Sequence, residues 1–197
     1  MARERNRPDV IAKQEAFKAQ QTSLEPSKLI FVDESGYRLG GTPRFGWALR
    51  GQDAPGSHVQ GKWETVTMIG ALAGDGFRGF MTIDSGTSHD VFLAFVQQEL
   101  APNLKPDDIV VMDNLAAHRG KVVIEAIETM GAKVIFTPPY SPEFNPIEKT
   151  WAKMKDFIRR LPTLTREAFD RAVSAAMDAI TEKDRWGWIR HAGYGIN

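Results

Sequence analysis

Short apolar runs separated by breaks rich in glycine and proline dominate the hydrophobic pattern of the chain. Five of these runs have the length and composition of strands, at 28–34, 64–72, 77–83, 108–113 and 132–138. The second and third runs flank the sequence AGDG, which is typical of a hairpin turn. The pattern therefore predicts three strands in succession, joined antiparallel, followed by two more strands further along the chain.

Helical spacing of apolar residues marks the segments around the later strands. Four segments show it: 90–100 after the candidate N-caps Thr87 and Ser88, 119–130, a long helix from Pro146, and 166–180. Three antiparallel strands followed by βα crossovers imply an α/β fold with a mixed five-stranded sheet and helices on both faces. This order of elements is found in the ribonuclease-H-like fold.

Composition restricts the class of protein further. The 197 residues are 42% hydrophobic, enough for one well-packed domain, and 25 basic and 25 acidic residues cancel. The absence of cysteine excludes disulfides and thiolate zinc sites. No apolar run approaches the roughly 18 residues of a membrane span, and the N-terminus lacks a signal-peptide core. We therefore expect a soluble intracellular protein without a membrane partner.

Acidic residues follow the predicted buried strands. Asp33 ends the first run, KLIFVDE, and Asp113 ends the fourth, DIVVMD. If these strands are parallel neighbours, both carboxylates emerge at the carboxyl edge of the sheet, where open α/β sheets usually hold their sites. Glu148 lies near the start of the helix after the fifth strand, and that helix can bring its first turn to the same edge. Each acid alone also fits a local turn or cap.

The chemistry of three such acids limits the kinds of reaction and of metal that the site could support. Carboxylates that converge in one cleft repel one another, so they must take up protons or share cations. Oxygen ligands without cysteine suit Mg²⁺ or Mn²⁺ rather than zinc. Two such ions about 3.5–4 Å apart can activate an attacking oxygen and stabilise the leaving oxygen of a phosphodiester. Residue types and predicted topology together indicate metal-dependent phosphoryl transfer on nucleic acid.

A structural role competes with catalysis at Glu148. Asn145 is a good N-cap, Pro146 suits the first helical position, and Glu148 then falls where a capping-box glutamate sits. Its face nevertheless differs from the apolar stripe that carries Ile147 and Trp151. Capping and catalysis are both open.

Three sequence blocks together resemble the active-site blocks of a known family. FVDESG (31–36), VVMDNLAAHRG (110–120) and YSPEFNPIEKTWAKMK (140–155) are similar to those of DDE transposases of the mariner-type branch, and most closely of bacterial insertion sequence 630 transposases. The blocks match the patterns D-N-x-x-x-H and S-P-x-x-N-P-I-E. The 34 residues between Asp113 and Glu148 are the spacing usual in that branch.

This resemblance implies a mechanism and a set of partners. Asp33, Asp113 and Glu148 would bind the catalytic metals, two Mg²⁺ or Mn²⁺ ions. The reaction would be hydrolysis at transposon ends, followed by attack of the freed 3′-hydroxyl on target DNA, usually at TA. The glycine-rich segment 36–62 resembles an arm that contacts a second subunit of a homodimer on DNA, although a surface loop is the alternative.

One departure from the family concerns the N-terminus. Family members normally carry helix-turn-helix domains that read the terminal repeats, whereas fewer than 30 residues precede the first predicted strand. We expect 1–27 to be a linker or arm remnant, or an extra helix packed on a catalytic domain at 28–197. The chain would then be part of a longer protein or of a split gene, located in a bacterial cytoplasm at the nucleoid.

Accessory residues have two open interpretations each. His118, which follows Asn114, either contacts a scissile phosphate or steers a metal, or is an ordinary surface-helix histidine. Asn145 is a helix cap or a DNA contact, and Glu34 is expected on the opposite strand face from Asp33. Arg119 is a candidate DNA contact. A basic cluster after Glu148 either holds DNA phosphates or forms a solvated helix face, and comprises Lys149, Lys153, Lys155, Arg159 and Arg160.

Two other functions stay open beside transposition. A ribonuclease-H-like nuclease would cut DNA without joining it. A domesticated or remnant protein would bind DNA or assemble without catalysis, although intact acids at all three positions argue against it.

Overall fold

One mixed sheet of five strands organises the fold. The computed structural model describes residues 7–40, 48–53 and 64–195. Its strands are β1 Leu29–Arg38, β2 Thr65–Ala73, β3 Gly76–Ile83, β4 Ile109–Met112 and β5 Lys133–Phe136. The α-helices in these ranges are α1 Pro8–Gln21, α2 His89–Phe95, α3 Lys121–Glu128, α4 Ile147–Ile158, α5 Arg166–Asp178 and α6 Glu182–His191.

The strand order across the sheet is β3-β2-β1-β4-β5. β1 pairs antiparallel with β2 and parallel with β4, while β2 pairs antiparallel with β3 and β4 pairs parallel with β5. The predicted mixed sheet, with three antiparallel strands followed by two parallel additions, is confirmed.

Alternation along β1 divides the interior into two cores. Leu29 and Phe31 belong to the core that packs against α4, α5 and α6, whereas Ile30 and Val32 belong to the core against α2 and α3. Successive side chains of a strand point to opposite faces, so one buried strand supplies both cores. Helices cover both faces of the sheet, as predicted.

β1 is longer than its sequence pattern suggests. The prediction that the strand ends near Asp33 is wrong, because pairing with β2 continues as far as Arg38 opposite Thr65. The parallel pairing with β4 covers only Leu29–Phe31. Asp33 therefore lies inside β1 but beyond the stretch that β4 covers.

Two helices lie outside the main predicted pattern. α6 is absent from the elements predicted from the sequence, and Thr181 and Asp184 form a capping box at its start. α1 buries Val10 and Phe17, and the Phe17 ring lies 5.0 Å from that of Phe144. The first helix is therefore packed on the body of the fold.

Part of the predicted partner-binding arm lies outside the described residues. Of segment 36–62, residues 36–38 belong to β1, while 41–47 and 54–62 are not described. Residues 1–6 of the predicted N-terminal arm, including Arg3 and Arg5, also lie outside the described residues. Within the described ranges, none of the helices combines the length and apolar character needed to cross a membrane.

Candidate active site

The three predicted acids line one pocket at the carboxyl edge of β1 and β4. Its volume is about 390 Å³, and its lining includes Asp33, Asp113 and Glu148. Asp33 comes from β1, Asp113 directly follows β4, and Glu148 lies in the first turn of α4. Segments separated widely in sequence thus bring three carboxylates to one cavity.

Asp33 is held by a tryptophan from the helix that crosses the sheet. The indole Nε1 of Trp151 donates to Asp33 Oδ2 at 3.2 Å. Burial and, next, the negative charge of Glu148 raise the pKa of Asp33 from 3.8 to about 7. Trp151, which the sequence pattern places on the apolar stripe of this helix, therefore also orients a site carboxylate.

Trp151 reaches Asp33 because β2 carries a glycine at the crossing point. Gly70 pairs with Asp33 in the sheet, and a Cβ added at Gly70 would lie 2.8 Å from Cη2 of Trp151. That distance is too short for a real contact, so the glycine leaves room for the indole ring.

Gly70→Ala is expected to displace the Trp151 ring and weaken its bond to Asp33. Overpacking a tight interior typically lowers the free energy of unfolding by about 1–3 kcal/mol, which thermal or urea unfolding would measure. Gly36→Ala is the matched control, because Gly36 also lies in a strand, β1, and the nearest atom to its added Cβ, Cγ2 of Thr65 in β2, is 3.7 Å away. Equal stability of the two variants would contradict this account of Gly70.

His118 joins Asp113 to a fourth acid. Its side chain is 0% exposed, with Nδ1 2.6 Å from Asp113 Oδ1 and Nε2 2.9 Å from Glu34 Oε1. Burial disfavours the imidazolium, but hydrogen bonds to Asp113 and Glu34 outweigh it and raise the pKa of His118 to about 10. The protonated ring donates through both nitrogens and offsets part of the local negative charge.

The contacts of Asp113 fix the plane of its carboxylate. Oδ1 accepts from His118 and from the backbone N–H of Leu115 at 3.1 Å. Both contacts fall on the same oxygen, so Oδ2 carries neither and keeps its lone pairs for another ligand. The aromatic ring of Phe92, 4.1 Å from the imidazole, holds His118 from the side.

Glu34 and His118 differ from the sequence interpretation. The surface-helix interpretation of His118 is wrong, because the residue is buried in the turn before α3. Glu34 does point away from Asp33, as expected, but that face of β1 meets His118. The sequence did carry a signal for the Glu34–His118 contact. Side chains alternate between the two faces of β1, so Glu34 lies on the same face as Val32, which packs into the core against α2 and α3.

Asn145 ties the start of α4 to the sheet. Its side-chain nitrogen donates to the carbonyl of Val32 at 3.1 Å, and its oxygen accepts from Ile147 N at 3.4 Å. The helix begins at Ile147, one residue later than expected, and no capping box forms there. The capping-box interpretation of Glu148 is therefore wrong, and Glu148 lines the acid pocket.

The electrostatic surroundings of Glu148 are mixed. Partial burial raises its pKa, Lys155 opposes that shift, and the charge of Asp113 adds to it. Both Asp33 and Glu148 are thus less acidic than ordinary carboxyl groups. Additional positive charge would favour the ionised form of both groups, and cations supply such charge in many carboxylate sites.

The predicted basic residues occupy different surroundings. Lys153 forms an ion pair with α6, because its Nζ lies 2.6 Å from Asp184 Oδ2. Hydrogen bonds from Lys153 and Thr181 lower the pKa of Asp184 to about 2. Arg119 and Lys149 are exposed, whereas Lys155 on α4 and Arg159 directly after it are half-buried. Asn114 is exposed and lines the acid pocket.

The donor set fits a hard divalent cation, although the side chains are not gathered around one point. Within the ranges that the structure covers, no group of three or more Asp, Glu or His side chains is arranged to hold a metal ion. Carboxylate oxygens without sulfur nonetheless suit Mg²⁺ and Mn²⁺.

The fold is similar to those of solved structures of a mariner transposase. The chain resembles the Mos1 transposase paired-end complex with left transposon end, at a TM-score of 0.77 and 16% identity over 98% of this chain and 60% of that one. It also resembles the catalytic domain of Mos1 mariner transposase, at a TM-score of 0.71 and 14% identity over 98% of this chain and 91% of that one.

These likenesses establish a fold shared with the Mos1 catalytic domain, the ribonuclease-H-like fold expected from the sequence. The chain spans only about 60% of the transposase in its end complex. No curated protein matches the chain. A family model described as DDE superfamily endonuclease matches residues 28–170, and the chain therefore belongs to that family.

Proposed function

We propose that this chain is the catalytic part of a mariner-type DDE transposase, related to bacterial insertion sequence 630 transposases. It would cleave DNA at transposon ends and join the freed 3′-hydroxyl to target DNA at TA. The observation that carries the proposal is the single pocket lined by Asp33, Asp113 and Glu148, in a fold shared with a transposase catalytic domain.

The three carboxylates would hold two Mg²⁺ or Mn²⁺ ions. Solved structures of the Mos1 catalytic domain with Mn and with Mg support this choice of metal. The bound ions would activate the attacking oxygen and stabilise the leaving oxygen of the phosphodiester. Their positive charge would also offset the burial and, next, the carboxylate repulsion that raise the pKa of Asp33 and Glu148.

The surrounding residues would position these acids. Glu34 and His118 hold Oδ1 of Asp113, so that Oδ2 is free to act as a ligand. Trp151 orients Asp33, and Asn145 anchors the start of α4 so that Glu148 lies at the pocket. Positioning of this kind lowers the reorganisation needed when the substrate arrives.

The partners follow from the same proposal. DNA ends and target DNA are the substrates, and a helix-turn-helix part of the longer protein, or the product of a split gene, would recognise the terminal repeats. The segment 36–62 would contact a second subunit in a homodimer on DNA. Exposed Arg119 and Lys149, with Lys155 and Arg159, would contact phosphates. A bacterial cytoplasm, at the nucleoid, is the proposed location.

A joining assay separates transposition from the alternatives. The chain, fused to its end-binding domain, would be incubated with DNA carrying the terminal repeats and a target plasmid, with Mn²⁺, with Mg²⁺ or with EDTA. We expect nicked ends and joined products with either metal and neither product with EDTA. Cutting without joining would indicate a simple nuclease, and no reaction by a folded, DNA-bound protein would indicate a non-catalytic remnant.

A further inference from the structure

An exposed aromatic side chain lies in the lining of the acid pocket. Besides the carboxylates, this lining includes Tyr140, 49% exposed, and Leu115, 53% exposed, together with prolines on either side of Tyr140. The cavity thus combines anionic groups with an apolar surface. A ligand that fits both kinds of surface has a charged group, which lies at the carboxylates and their metal ions, and a flat apolar face, which lies on the aromatic and aliphatic side chains.

The backbone of Tyr140 is unusual. Its φ is +56°, and among the described non-glycine residues only Asp107 shares a positive φ. The left-handed region is unfavourable for an aromatic residue, and glycine or asparagine would occupy it with less strain. In the described part of the chain the tyrosine ring has no aromatic partner and its hydroxyl has no hydrogen bond, so internal packing does not explain the choice of residue.

The loop that carries Tyr140 is braced from two sides. Ser141 Oγ donates to the Pro139 carbonyl at 3.0 Å and accepts from Gln14 Nε2 of α1 at 2.9 Å. Tyr194 Oη donates to the Phe144 carbonyl at 2.8 Å. The ring is therefore presented from a fixed backbone, which reduces the entropy lost when a ligand binds.

We propose that Tyr140, with Leu115 beside it, is a stacking platform for the unpaired base next to the phosphate on which the acids act. This inference rests on the proposed function and specifies its substrate as a nucleotide whose base has left the duplex stack. The phosphate would face the carboxylates and their ions, while the base would lie on the ring. Every base has a π-face, so such contacts tolerate sequence variation.

The test uses DNA with a frayed 3′ end that carries 2-aminopurine as its last base, whose fluorescence falls on stacking. Ca²⁺ would replace Mg²⁺, since it also binds carboxylate oxygens. We expect strong quenching with the wild type and Tyr140→Phe. With Tyr140→Gly we expect little quenching and roughly tenfold weaker binding, despite a melting temperature at or above that of the wild type, because glycine relieves the positive φ.

The control is Leu164→Ala, which removes another exposed apolar side chain, 57% exposed and outside the pocket lining. It should quench and bind like the wild type. Equal quenching by Tyr140→Gly and the wild type would overturn the stacking platform. If the wild type still cleaves DNA in a metal-dependent reaction, that result leaves the proposed function intact. A wild type that is fused to its end-binding domain and holds the DNA, yet neither quenches the probe nor cleaves DNA with Mg²⁺, would overturn both.

Discussion

Asp113→Asn is expected to lower metal-dependent DNA cleavage on the order of a thousandfold while leaving the protein folded. The substitution removes the negative charge that would hold the metal, yet the amide oxygen can still accept from His118 and from Leu115 N, as Oδ1 does now. Asp113→Ala should lose the same activity but also stability, because the buried imidazolium of His118 would lose one of the two carboxylates that it contacts and would keep Glu34 and the backbone carbonyl of residue 113.

Nicking of end-bearing DNA with Mn²⁺, followed over time for the three proteins, measures this effect. Their melting temperatures show whether the loss is catalytic. Asp178→Asn is the matched control, since Asp178 is an exposed carboxylate at the end of α5. If folded Asp113→Asn cleaves within tenfold of the wild type, Asp113 has no part in the reaction.

The architecture could be predicted because it depends on local signals. Apolar runs located the five strands, and the AGDG turn fixed the antiparallel pairing of β2 and β3. The order of strands and helices then determined which strand ends share an edge. That rule placed Asp33 and Asp113 together without any knowledge of side-chain contacts.

The contacts that orient the site could not be predicted in this way. Glu34 and His118 are 84 positions apart, and their bond depends on how β1 and the turn before α3 meet across the sheet. The contact of Trp151 with Asp33 depends likewise on the space left by Gly70. Such contacts arise from tertiary packing, which no local pattern of apolar residues encodes.

The extent of β1 and the presence of α6 were missed for different reasons. β1 continues past its apolar run because β2 supplies backbone partners as far as Arg38. α6 lacks a clear apolar stripe, so its main sequence signal is the capping box of Thr181 and Asp184. A search for capping boxes beside apolar periodicity would have found it.

Asp33 is expected to destabilise the metal-free fold at neutral and alkaline pH. The folded state raises its pKa from 3.8 to about 7 and so binds the proton more tightly than the unfolded chain. The free energy of unfolding therefore falls as the pH rises through this window, by roughly 4 kcal/mol if the whole shift applies. Below pH 3.8, the pKa of Asp33 in the unfolded chain, Asp33 is protonated in both states and does not change the free energy of unfolding.

Asp33→Asn should remove this penalty. The amide oxygen can still accept from Trp151 Nε1 without carrying charge, so we expect the metal-free variant to be about 2–4 kcal/mol more stable than the wild type at pH 8. Most of that gain should be lost by pH 4.5. Urea unfolding at the two pH values measures both differences.

Added Mn²⁺ provides the control for this substitution. At pH 8 it should stabilise the wild type, because a ligand that binds only the folded state shifts the equilibrium towards it, and it should stabilise Asp33→Asn much less. The same carboxylate would then lower stability in the empty site and supply a ligand in the loaded one. A variant no more stable than the wild type at pH 8 would show that Asp33 carries no such electrostatic cost in the fold.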